Sequence, residues 1–286
     1  MNFQKVALDA GLYFVGVPIG TARDITLRAL DVLASADVLA AEDTRSLRRL
    51  MDIHGVPVSR RPLVALHDHS KGSVIARLLS DVQAGKSVAY ASEAGMPLIA
   101  DPGFELSSAA PEAGVMQTCA PGPSAILTAL VLGGLPTDAF YFAGFLPNTK
   151  CARRSALEAV REVPGTLVFY ESPKRLAAML SDASDILGTE RLAAVCRELT
   201  KKFEDIQRGT LETLSRTYAG TTVKGELVVL IDRGRSASVS QDTVQQALEQ
   251  ALRQMTMRDA VDMVAKAYNL PRRQVYQQAL ALTKEG

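Results

Sequence analysis

Small and turn-forming residues gather at three places in the chain: Gly16-Val17-Pro18-Ile19-Gly20, residues 92–103, and Pro121-Gly122-Pro123-Ser124. Glycine and proline in such runs let the backbone approach a bound molecule closely and present its N–H groups. Ser124 also opens a predicted helix, and helix N-termini favour anionic groups. Ordinary turn chemistry produces similar runs. Here, however, each follows a predicted strand, and open α/β sheets bind ligands at that strand end. None matches G-x-G-x-x-G or the Walker pattern, so no dinucleotide or P-loop site is indicated.

Charged groups supply further candidates. Glu42-Asp43-Thr44-Arg45 reads either as a polar cluster facing a substrate or as a helix cap with a solvated arginine. Glu171 and Glu198 end or follow predicted buried strands, and each reads equally as an edge ion pair with Arg175 or Arg197. Arg45, Arg48, Arg49, Arg60 and Arg61, then Lys150, Arg153 and Arg154, form local basic clusters. Each cluster alone suits a solvated helix face. Together they suit RNA phosphates. His67-x-His69 has a spacing a metal could use, but no third His or Cys joins it, so no metal is expected.

These residues need elements to position them. Apolar runs over residues 12–17, 38–41, 63–66, 88–91 and 115–118 read as strands, separated by helices over 27–34, 46–53, 73–84, 104–113 and 124–132. That alternation predicts an α/β fold with a mostly parallel sheet covered on both faces. The Gly/Pro-rich stretch 133–148 reads as a linker. A second α/β unit follows, with helices over 151–161, 174–187 and 211–218 and strands over 166–170, 191–196 and 227–231. The boundaries expected are 1–132, 133–148, 149–232 and 233–286. The last segment reads as three helices of helix-turn-helix character. Its second helix starts at a Thr256/Asp259 capping box, and residues 269–271 break it from the third. It carries eight Lys/Arg against five Asp/Glu.

Composition limits the alternatives. The chain has 286 residues, 47% hydrophobic and 22% charged, enough apolar content for a large core and too much for disorder. Its formal net charge of +1 names no partner. Three scattered cysteines argue against a disulfide framework, and no apolar run approaches a membrane span of about 20 residues. The first ten residues lack a secretory h-region. A cytoplasmic protein is expected. Aromatics at 5%, without Trp, argue against a broad stacking platform.

A resemblance extends this reading. The ordered runs are residues 17–20 with 24–26, 41–45, 92–103, 121–125, 145–147, 169–173 with Arg175, 197–204, 208–209 and 224–226. They resemble the signatures of the small-subunit ribosomal RNA methyltransferase I family, cytidine 2′-O-methyltransferases of the tetrapyrrole-methylase superfamily. The sequence departs from the family pattern at Thr21, Glu93, Met96 and Lys174. The resemblance implies two α/β methylase domains with S-adenosyl-L-methionine in the cleft between them, a homodimer, and 16S rRNA in the small ribosomal subunit as partner. Carried over, the cofactor contacts are Pro18, Ile19 and Gly20; Ser92, Glu93, Ala94, Gly95, Pro97 and Ile99; Ser124 and Ala125; and Ser172, Leu199, Gly225 and Glu226. For proton acceptance the candidates are Glu171, Glu198 and Lys201, with Arg45 or Arg197 orienting phosphate.

The resemblance therefore implies an enzyme that methylates a cytidine ribose in the decoding region of 16S rRNA. Two alternatives stand beside it. A methyltransferase of this fold could act on a tetrapyrrole or on a modified histidine of elongation factor 2, where a basic helical tail has no task. A non-catalytic nucleic-acid-binding regulator is the other.

Overall fold

In a computed structural model, residues 2–67, 72–234, 241–268 and 272–284 are described. Two compact units result, Met1–Arg233 and Gly234–Gly286.

The larger unit begins with β1 (Gly11–Val15), α1 (Leu27–Ser35), β2 (Val38–Ala41), α2 (Thr44–Ile53) and β3 (Leu63–Ala65). It continues with α3 (Gly72–Gln83), β4 (Ser87–Ala91), α4 (Phe104–Glu112), β5 (Gln117–Ala120) and α5 (Ala125–Gly133). The strands pair in the order β3-β2-β4-β1-β5, every pairing parallel. Alternate residues of β1 enter different cores: Tyr13 and Val15 pack with Leu33 and Met51, while Leu12 and Phe14 pack with Tyr90 and Leu106. Burial on both faces is why these strands are continuous apolar runs. Thr26 caps α1 by accepting from the Ala29 N–H at 3.1 Å.

The order brings β4, β1 and β5 side by side, so the three Gly/Pro runs leave neighbouring strand ends. They are stitched together there. Val17 and Gly95 exchange backbone hydrogen bonds of 2.9 and 3.1 Å, and the Gly16 N–H donates to Ala120 O at 2.9 Å.

A second sheet is built from β6 (Phe140–Phe145), α6 (Lys150–Ala159), β7 (Thr166–Glu171), α7 (Leu176–Leu187), β8 (Leu192–Arg197), β9 (Asp205–Thr210), α8 (Leu211–Tyr218) and β10 (Leu227–Ile231). Its order is β6-β7-β10-β8-β9, and only β6 with β7 is parallel. One expectation is corrected here, and one unexpected strand is added. The stretch 133–148 is not merely a linker, because Phe140–Phe145 pairs along β7. The second sheet is also mixed, and β9 is an edge strand with no apolar run to announce it. Helix α5 follows the first sheet in sequence, yet its buried Ile126, Ala129 and Leu130 pack on Val168, Ala194 and Leu230 of the second. Gly133 at the end of this helix lies against the side chain of Leu230, which would have to shift to admit a Cβ there.

In the smaller unit, α9 (Gln241–Leu252), α10 (Met257–Ala267) and α11 (Arg272–Lys284) share a core of Val244, Leu248, Val261, Val264 and Val275. The Thr256 cap forms as predicted, accepting from the Asp259 N–H at 3.3 Å. The predicted break at 269–271 lies outside the described residues.

Candidate active site

The C-terminal ends of β1, β4 and β5 face those of β7, β8 and the loop before β10 across a cavity of about 840 Å³. That is near the top of the roughly 300–1,000 Å³ usual for small-molecule sites. Five carboxylates (Glu42, Glu93, Asp101, Glu171, Glu226) and two cations (Arg49, Lys201) line it. The space therefore favours a positively charged occupant.

Glycines bring the walls close. A Cβ on Gly16 would sit 2.6 Å from the Gly122 nitrogen, and one on Gly20 2.6 Å from Lys201 Cγ and Thr200 Oγ1. On Gly225, with φ +97°, it would meet the Glu198 carboxylate at 2.5 Å. Four non-glycine residues in two loops at the site adopt left-handed backbone: Leu98 and Ala100 in one, Glu198 and Thr200 in the other. Each costs on the order of 1–3 kcal/mol, strain that concentrates at functional sites. The two halves are tied at this point. Thr21, where the family pattern has another residue, donates its N–H to Thr200 Oγ1 at 3.2 Å and its hydroxyl to Thr200 O. Met96, another departure, accepts the Gly122 N–H on its sulfur at 3.3 Å.

Three candidate groups from the second half now separate. Lys201 Nζ donates to Glu198 at 3.1 Å and Glu226 at 2.9 Å. Burial alone would lower its pKa, but the hydrogen bonds to Glu226 and Glu198 outweigh burial and raise it, so the ammonium persists. Glu198 accepts the Glu226 N–H at 3.0 Å, which with Lys201 holds its pKa below the usual carboxylate range. Both bonds fall on one oxygen, Oε1. Glu171 differs: its side chain is 0% exposed, and burial raises its pKa against the opposing pull of the Ser172 N–H and Arg175. One oxygen accepts from Ser172 N at 2.7 Å and lies 3.3 Å from Arg175 Nε, while Oε2 has no hydrogen-bond partner. A buried carboxylate oxygen left unpaired in a cavity wall is costly unless a ligand supplies a donor.

Of the residues expected to hold cofactor, Pro18, Ile19, Gly20, Glu93, Ala94, Gly95, Ile99, Ser124, Ala125, Ser172, Leu199, Gly225 and Glu226 line the cavity. Ser92 and Pro97 do not; both are buried behind it, Ser92 donating to Ala94 O at 3.2 Å. Glu198 and Arg197 also stand outside the lining. Arg45 is corrected more sharply. Its side chain is 91% exposed, paired at 3.2 Å with Asp43, the cap of α2, and absent from the cavity. One turn further along the same helix, Arg49 lines it instead. Sequence reasoning also missed Tyr170, Cys196 and Asp101 as lining residues. Burial pushes the Tyr170 hydroxyl up to about 12, helped by Asp101 and Glu226. Burial likewise pushes the Cys196 thiol up to about 11, so it is no nucleophile. Among the described residues no group of three or more His, Cys, Asp or Glu could hold a metal, and no helix is long and apolar enough to cross a membrane. His69 lies outside the described residues.

A parallel and a mixed sheet enclosing one acidic cleft define a two-domain α/β protein with a ligand site between its halves. Residues 11–215 match the family model of Tetrapyrrole (Corrin/Porphyrin) Methylases, and residues 238–283 match the RsmI C-terminal HTH domain. The chain belongs to the tetrapyrrole methylase family, within it to the group of ribosomal RNA small subunit methyltransferase I. A protein of that name from Mesorhizobium japonicum is 43% identical over 276 residues, covering 96% of this chain and 93% of its own. One from Vibrio cholerae is 40% identical, covering 94% of each chain. Among solved structures, the methyltransferase CobJ has a TM-score of 0.59 at 19% identity, over 80% of this chain and 95% of its own. Uroporphyrin-III C-methyltransferase from Thermus thermophilus, complexed with S-adenosyl homocysteine, has a TM-score of 0.52 at 18% identity, over 77% and 96%. These likenesses establish the fold.

Proposed function

We propose that the protein transfers a methyl group from S-adenosyl-L-methionine to the 2′-oxygen of a cytidine ribose in 16S rRNA of the small ribosomal subunit. One observation carries this reading: near full-length similarity to proteins named ribosomal RNA small subunit methyltransferase I, helical tail included. The donor supplies an electrophilic methyl on a positively charged sulfur, and the excess of carboxylates in the cleft suits that charge. The glycine-built walls at Gly20, Gly95 and Gly225 and the capped start of α5 at Ser124 hold it through backbone contacts. Lys201 pins Glu198 and Glu226 together and keeps the wall formed.

Glu171 takes the ribose proton. Of the two carboxylates among the candidates it is the one whose pKa burial raises, and its Oε2 is unpaired, which suits acceptance of a hydroxyl proton. Catalysis is otherwise positioning, with oxygen, methyl and sulfur held in line. Exposed Leu127 and Val131, one turn apart on α5, offer apolar surface for the second copy of a homodimer. A cytoplasmic location accompanies an rRNA substrate.

Labelled donor incubated with assembled small subunits, followed by nucleoside digestion, tests the reading. Ribose-methylated cytidine is expected, at a linkage resistant to alkali. A base-methylated nucleoside, or label in a tetrapyrrole acceptor only, overturns it.

A further inference from the structure

The edge strand β6 contains an irregularity beside the cleft. Phe142 pairs with Val168, but Gly144 pairs with Phe169, so Ala143 and Gly144 together oppose one residue of β7. Gly144 has φ +67°, left-handed backbone that glycine adopts without strain. Strand alternation without the extra residue would put Phe145 and Phe142 on opposite faces. Phe145 would then join the core that holds Leu146 and Phe169. With the bulge, Phe145 and Phe142 lie on the same face, both against Tyr170, with ring centroids 5.6 and 5.0 Å away.

Phe145 is the outermost ring of this trio, 56% exposed and part of the cleft wall. The chain thus removes a large aromatic from an available core and displays it at the site. Bulges that re-aim a side chain are over-represented next to active sites. Phe145 belongs to none of the segments expected to hold the donor. From the first half of the molecule, Arg49 lines the same cleft, exposed and with no ion-pair partner among the described residues. An exposed aromatic ring and a guanidinium without an ion-pair partner among the described residues, both lining one cleft, match the base and the phosphate of a nucleotide lifted out of its strand.

We propose that Phe145 is a positioning residue for the acceptor, the surface on which the base of the target nucleotide stacks, with Arg49 receiving an adjoining phosphate. This rests on the RNA-methylating reading above. Stacking on one ring face fixes the base plane, and through the glycosidic bond it fixes where the ribose 2′-oxygen points. The bulge therefore acts on reaction geometry through substrate orientation.

The test compares the full chain with F145A, F145L and F145W by donor calorimetry and by methyl transfer to assembled small subunits. Loss of one base–aromatic stack should lower kcat/KM for the subunit roughly 5- to 150-fold in F145A and F145L. F145W should recover most of it, and donor affinity should stay within about twofold in all three, since the stack concerns the acceptor alone. Equal transfer by F145L and the unaltered protein overturns the stack. Donor affinity falling in step with transfer assigns the ring to the donor and also overturns it. If the unaltered protein labels no ribose, the RNA reading itself fails and the stack with it.

Discussion

Around the cleft, the parallel sheet of β1–β5 contributes a glycine-built backbone cradle, Gly20 and Gly95 with the exchanged bonds of Val17 and Gly95 and the start of α5, together with the carboxylates of Glu42, Glu93 and Asp101. The mixed sheet of β6–β10 contributes mostly side chains: the Glu198–Lys201–Glu226 cluster, buried Glu171, and the rings of Tyr170 and Phe145. The contrast separates two tasks. A backbone cradle holds a ligand in a fixed shape, and side chains with tuned charge perform chemistry on it. A substitution on one side should therefore affect binding and one on the other turnover.

The largest effect should be structural and confined to the second half. Asp182 is buried against Arg153 at 2.6 Å and also accepts from Arg154 at 2.9 Å. Burial opposes its ionisation, but those hydrogen bonds prevail and hold its pKa down. Asp182→Ala leaves a buried guanidinium unpaired and should cost about 3–5 kcal/mol in urea unfolding. Because the folded pKa is depressed, this contribution is complete above the usual aspartate pKa and disappears as pH falls through the lowered one. A loss under about 1 kcal/mol would remove the pair from the account.

Next comes the cradle. Gly16→Val pushes a side chain against the backbone of Gly122 and the sulfur of Met96. Overpacking of this kind costs about 1–3 kcal/mol of stability and displaces the two loops from each other, so the donor Kd measured by calorimetry should weaken. An unchanged Kd would mean that these loops do not hold the donor.

Removing residues 235–286 should leave donor affinity within about twofold, because among the described residues the cavity is lined by the larger unit alone. Subunit binding should weaken and its salt dependence flatten, as cationic side chains are lost. Full-rate methylation by the shortened chain would take RNA docking away from the tail. The smallest effect should be that of Arg45→Ala, whose exposed guanidinium is bound, among the described residues, to Asp43 alone. Melting temperature and donor Kd should not change, and a weakened donor Kd would return Arg45 to the site.

The same contrast decided what could be read from the chain itself. The first sheet was legible because β1, β2 and β4 are buried on both faces as apolar runs, β1 and β4 leading into Gly/Pro turns. Of the second sheet, β7, β8 and β10 were legible for the same reason. Edge strands β6 and β9 were not. Both are half-exposed, and Gly144 in a bulge looks in sequence like one more turn residue beside Gly133 and Gly134. Arg45 and Arg49 show the limit for site residues. Both are basic and on one helix, and only the turn between them, with Asp43 capturing Arg45, decides which reaches the cavity. Likewise, Glu171 and Glu198 each follow a strand end in the same way, and their difference lies in partners 28 residues distant in sequence or absent.

The assignment of turnover chemistry to the second half is tested most directly by the pH dependence of single-turnover methyl transfer to small subunits, with and without Glu171→Gln. Burial raises the pKa of Glu171, so the rate of the unaltered protein should fall on acidification at a pH above the usual carboxylate range. Glu171→Gln should lower the plateau rate by roughly 10²–10⁴-fold, erase that limb and leave donor Kd nearly unchanged. A full-height rate, or the same acidic limb persisting in the variant, would contradict the account.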